Sequence, residues 1–415
     1  MTWNRVYNFF GSIYELSEPN NKSRLQSMEG LRGFAIFLVF LCHYQDIILR
    51  HLPTGAFLTR IGMGVMEAGG TGVDLFFVLS GMLIYRAVLK PDLNYKRFMA
   101  RRIERIYPAF IALFIFYVAA DGLLSLRPHA ARYGVRIPSG ILPAAGYLLA
   151  NLLFLPGLFP IQPLMNVAWS LSYEWFFYLL LPLAIFVTGM TRRRPKTRIV
   201  LFFALSAVFL GSSLMFPAVF FMSSNPIRAS HIKLIMFLSG MIISDLILAG
   251  VDHARRWLDW IALVLLAGGL LVPFAIGYSG FRELPTGPHV ARTEAVISGS
   301  LFAGYGLMVF CTLAGQHFFN RIFRAAPIRW LGNMSYSFYL IHGVPMHAVA
   351  LFVARPAITN LPHGQLVLFI AILLPVTFVI TAAVSTALFM LVEKPFSLKV
   401  KRAVKSANRN LQAVA

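Results

Sequence analysis

Ten apolar runs, each long enough to cross a lipid bilayer, follow one another along this sequence and leave few alternatives for its fold. Helices are expected at about 31–50, 69–88, 105–125, 167–188, 198–217, 231–249, 257–278, 293–313, 331–353 and 365–391. Hydrophobic residues make up 58% of the chain, charged residues only 13%, and mean hydropathy is +0.70, outside the range of soluble domains. A transmembrane barrel would need short alternating segments, which are missing. The expected class is therefore all-α: a polytopic helical membrane protein with about ten transmembrane helices.

Ten spans place both termini on one side, and the basic residues indicate which. Under this topology that side holds 27 Lys and Arg and the other side ten. The positive-inside rule then makes both termini cytoplasmic. Residues 1–23 are expected to form a cytoplasmic or interfacial leader, 24–396 the membrane domain, and 397–415 a basic cytoplasmic tail. Pro143, Pro156, Pro160 and Pro163 interrupt or close the apolar stretch 139–158, which is expected to be interfacial or re-entrant. The net charge of +21 lies in short clusters between apolar runs, where it meets lipid headgroups and not nucleic acid. Cys42 and Cys311 are the only cysteines, and both lie in apolar runs, so neither a disulfide framework nor a metal cluster is expected.

Polar residues inside the spans point to function. Arg32 opens the first apolar run and His43 lies within it, separated by about 16 Å of helical rise, too far apart to serve one compact site. An ionisable group at His43's depth marks a functional-site candidate. Counting along the helices brings Asp74, Glu174 and His342 to a similar level, so the four are expected to share one polar layer. On the cytoplasmic side, Arg101 or Arg102 with Arg105 falls at a spacing of four or three residues, on one helical face. Such a guanidinium fork suits the phosphates of a nucleotide.

Five ordered blocks resemble the acyltransferase-3 family of integral-membrane acyltransferases. They are Arg32 with His43; Gly70 to Ile84 around Asp74 and Ser80; Arg102 to Pro108; Ala168 to Glu174; and Leu331 to His342. Trp175 stands where many members carry a second Glu, so a paired-carboxylate role is not expected there. The resemblance implies acyl-CoA as co-substrate with no further cofactor, and a hydroxyl of a cell-envelope or exported glycan as acceptor. It implies a bacterial inner-membrane location, His43 as the essential catalytic residue, and Arg32, Arg102 and Arg105 as donor-binding residues. His43 would act as general base on the acceptor hydroxyl or as nucleophile, with Asp74 or Glu174 orienting it. Ser80, Ser172, Tyr336 and His342 complete the expected substrate layer. The alternative is a transporter or glycan-export accessory, which would also bury His, Asp and Glu in a bundle.

Overall fold

A computed structural model of the chain describes residues 3–15, 23–48, 57–125, 137–216, 231–279 and 288–396. These residues form α1 (Trp3–Tyr14), α2 (Ser23–Ile48), α3 (Phe57–Gly69), α4 (Gly72–Val88), α5 (Tyr95–Ser125) and α6 (Ile141–Leu152). There follow α7 (Ala168–Val187), α8 (Pro195–Met215), α9 (Ile235–Leu248), α10 (Arg256–Ser279) and α11 (Pro288–Ala314). The last third holds α12 (Phe318–Phe323), α13 (Ala326–Asn333), α14 (Ser335–Ile341), α15 (Gly343–Val349), α16 (Arg355–Asn360) and α17 (His363–Leu388). Among the described residues there is no strand, only an isolated bridge between Pro156 and Phe159.

Nine of the described helical stretches are long and apolar enough to cross a membrane, and α14 joined to α15–α16 makes a tenth, bent by 49°. This is the all-α polytopic architecture expected. Residues 49–50 and 217, and the tail 397–415, lie outside the described residues. The twelve-residue α6 rises only about 18 Å, too short to cross. Its end is tied back by Asn151 Oδ1, which accepts from the Leu164 amide at 2.7 Å, and by the Tyr107 hydroxyl, which donates to the Leu152 carbonyl at 3.2 Å.

Two helices start earlier than their apolar runs. α2 begins at Ser23 and α5 at Tyr95, about eight and ten residues before the hydrophobic onset. Apolarity marks where lipid begins, whereas a helix continues through polar residues in the aqueous layer. Arg32 therefore lies about 14 Å along its helix, and Arg102 and Arg105 two to three turns along theirs.

Close backbone contact holds the centre. A Cβ on Gly81 would collide with the Phe237 carbonyl, and one on Gly240 with the Val78 carbonyl, so α4 and α9 touch along their backbones. Packing is thus what Gly81 is for. Nearby, the fully buried Asp245 fastens three helices together. It accepts from the Tyr85 hydroxyl at 2.8 Å and from Arg198 at 2.5–3.1 Å. The remaining Arg198 nitrogen reaches the carbonyls of Met190 and Arg193.

The amphipathic α1 lies against one face of the bundle. Tyr7, Phe10 and Tyr14 pack on Trp330 with ring centroids 5.6–6.3 Å apart, and Glu15 and Glu29 both bind Arg329. Lys394, beyond α17, donates to the carbonyls of Ser12 and Ile13. The first and last described elements therefore meet on the same face.

Candidate active site

α2, α4, α5, α7 and α14 together enclose a cavity of about 80 Å³. Its polar wall includes Arg32, Arg102, Arg105, Glu174, Ser80 and Tyr336, drawn from all five sequence blocks. Arg105 is exposed, so the cavity opens beside it, whereas Arg32 and Arg102 are half-buried. Arg101, the other arginine on this stretch of α5, is exposed and does not line the cavity.

Of the three guanidinium groups, that of Arg102 is held by rings. Arg102 is sandwiched between Phe98 and Tyr178, 5.2 and 5.6 Å from their centroids. Its buried Nε has no hydrogen-bond partner. Glu174 is the nearest counter-charge, yet its carboxylate is engaged by the Ser80 hydroxyl, in a short hydrogen bond, and by the Tyr178 hydroxyl at 3.2 Å. A buried donor without a partner is costly, so the fold leaves the hydrogen-bonding capacity of Arg102 incomplete. Tyr336 spans the wall, donating to the Ile106 carbonyl at 2.6 Å.

The inner wall is Tyr339. Its hydroxyl is fixed between Ser170 Oγ at 2.6 Å and the Val167 carbonyl at 3.0 Å. Behind its ring stands His342, 6.1 Å away centroid to centroid, and beyond that His43, 4.8 Å from His342. His342 occupies the break between α14 and α15. Pro345 explains the break: it has no amide hydrogen for the Ile341 carbonyl and its ring crowds that oxygen.

The expectation of one shared layer is therefore corrected. His43 and His342 meet, but Asp74 and Glu174 contact neither. Asp74, 1% exposed, forms an ion pair with Lys233 at 2.8 Å. Glu174 belongs to the arginine cavity. In this structure both carboxylates are bonded elsewhere, because equal depth along two helices does not decide which way their side chains face. Ser172 is also outside the cavity, fully buried and donating to the Pro156 and Ala168 carbonyls.

Three features were missed from sequence. Lys233 could have been suspected as a lysine just inside an apolar run. Tyr339 and Tyr178 carry no such sign, since aromatic residues are common throughout these spans. Glu393 accepts from both the Ser337 amide at 3.0 Å and its hydroxyl at 2.5 Å, and so ties α14 to the π-helical turn Phe389–Glu393. Arg105 and Arg32 lie within its electrostatic reach. Among the described residues no His, Cys, Asp and Glu group is arranged to hold a metal.

Among the described residues, nine spans and a bent tenth, with a cationic cavity beside a close pair of histidines, define a polytopic integral membrane protein. The acyltransferase-3 family model, described as an acyltransferase domain, matches residues 25–386, and the chain belongs to that family. Over 394 residues it is 25% identical to O-acetyltransferase OatA of Staphylococcus aureus (strain NCTC 8325 / PS 47), covering 90% of this chain and 57% of that one. Peptidoglycan O-acetyltransferase OatA of Listeria monocytogenes is 24% identical over 343 residues, 78% of this chain and 49% of that one. YrhL of Bacillus subtilis (strain 168) is 24% identical over 338 residues, 77% of this chain and 48% of that one. The chain thus spans about half the length of these curated relatives. No solved structure matches it.

Proposed function

We propose that the protein is a membrane O-acyltransferase that moves an acyl group, acetyl by default, from cytoplasmic acyl-CoA to a hydroxyl of a cell-envelope glycan. The names of the relatives favour a peptidoglycan-type acceptor, and the family favours transfer over transport. The observation that carries the reading is the cavity of unpaired arginines ending at Tyr339, with the histidine pair immediately behind. It is sized for one end of the donor, whose remaining phosphates would lie outside, beyond Arg105. The excess of Lys and Arg on the side of the termini supports a cytoplasmic mouth and a bacterial inner-membrane location.

In this reading Arg32, Arg102 and Arg105 grip donor phosphates, and Glu174, held by Ser80 and Tyr178, keeps the guanidinium groups apart. The thioester end passes Tyr339 toward His43. His43 takes the proton of the attacking glycan hydroxyl as that oxygen bonds to the acyl carbon. When the tetrahedral intermediate collapses, the carbon–sulfur bond breaks and the proton passes to the departing thiolate, leaving the ester and free CoA.

The test uses purified protein in liposomes, radiolabelled acetyl-CoA on one side and peptidoglycan fragments on the other. Label should appear in the glycan, and His43→Ala should abolish the transfer while the protein still inserts and purifies normally. Activity above about a tenth of wild type in His43→Ala would remove His43 from the chemistry, given the contributions of at least a hundredfold common for general bases.

A further inference from the structure

The proposed chemistry leaves one requirement unmet. A histidine acting as base needs a second group to fix its tautomer and to share the positive charge it acquires. Among the described residues no carboxylate lies against His43. Its electrostatic neighbours are His342 and His347, and His347 is exposed with its Nδ1 donating to the Gly343 carbonyl at 2.7 Å.

His342 is different. It is 1% exposed, and its Nδ1 faces two backbone carbonyls, Tyr339 at 2.8 Å and Phe338 at 3.2 Å. Carbonyls only accept, so Nδ1 must carry the hydrogen, and Nε2 is left as a lone-pair acceptor. The ring lies against Phe338 on one side, nearly parallel at 16°, and meets His43 on the other at 4.8 Å between centroids.

We propose that His342 is the positioning partner of His43, its Nε2 accepting a hydrogen bond from one ring nitrogen of His43 and leaving the other nitrogen bare toward the acceptor hydroxyl. This rests on the acyl-transfer reading above, and it puts a neutral imidazole where hydrolytic triads place a carboxylate. As His43 gains the hydroxyl proton, the hydrogen bond to His342 becomes charge-assisted and stronger. The proton on the bare nitrogen then leaves with the thiolate, and His342 ends the cycle unchanged.

The experiment pairs two variants with one spectrum. His342→Phe keeps the ring and removes both nitrogens, whereas His342→Gln restores an acceptor oxygen and an amide donor of similar reach. The expected result is a kcat about a hundredfold lower in His342→Phe, donor KM within twofold, and recovery in His342→Gln to within about tenfold of wild type. Equal losses in the two variants, or losses that track the folded fraction, would make His342 a packing residue. Solid-state nitrogen NMR of histidine-labelled wild type in bilayers should show His342 protonated at Nδ1 only, with Nε2 hydrogen-bonded to His43. A free or protonated Nε2 overturns the inference. The spectrum requires no turnover, so it separates this failure from failure of the acyl-transfer reading.

Discussion

Arg198 is buried and Arg102 half-buried, and they have opposite surroundings. Arg198 spends its nitrogens on one carboxylate and two carbonyls, and the carboxylate of Asp245 takes a further bond from Tyr85. Arg102 has two aromatic faces and an Nε with nothing to bind. The first arrangement is complete without any ligand. The second is incomplete, and two further guanidinium groups converge on the same cavity. The lesson is that two arginines of equal charge can differ wholly in how many partners the fold supplies.

The contrast breaks most sharply at Asp245. Asp245→Ala leaves Arg198 buried without its counter-ion, which costs about 3–5 kcal/mol. The expected outcome is a large fall in folded protein after detergent extraction, measured by size-exclusion chromatography and thermal unfolding. Whatever folds should saturate with acyl-CoA as wild type does; a raised donor KM would mean that Arg198 also serves the ligand.

An intermediate effect is expected in the cavity. Arg102→Lys and Arg105→Lys keep the charge and lose the planar fork. Losing one charge-assisted hydrogen bond costs about 1.5–3 kcal/mol. That corresponds to a donor KM raised roughly ten- to a hundredfold, with stability unchanged. Initial rates against acyl-CoA concentration in liposomes decide it, and unchanged saturation in both variants would reduce the cluster to a topology signal.

The smallest effect should come from the third arginine site. Arg329 keeps Glu29 when Glu15→Gln removes the charge of its partly exposed partner. The expected loss is below about 1 kcal/mol. A larger shift in unfolding temperature would show that α1 contributes more to the bundle than its ring contacts with Trp330 suggest.

The spans were legible because each is a sustained apolar run, and the arginine fork because a three-residue spacing fixes one helical face. Partnerships between distant helices were not. Asp74 and Lys233 are 159 residues apart, and nothing in either neighbourhood names the other. Depth was readable from residue counts, but side-chain direction depends on how each helix is rotated, and so Asp74 and Glu174 were grouped with His43. The ninth span was read as one helix over 331–353, although Pro345 carried the physical signal for its break.

That broken span also has a consequence for how the protein is made. α14 has seven residues and rises about 10 Å, a third of the hydrocarbon thickness, so it cannot cross on its own. It brings Ser337 and His342 into the bilayer, and Ser337 is satisfied by Glu393, near the end of the last span. During synthesis, Ser337 is inserted before its partner has left the ribosome. The short helix that carries Tyr336 and Tyr339 into the cavity wall is therefore fastened only once the span ending near Glu393 has joined the bundle.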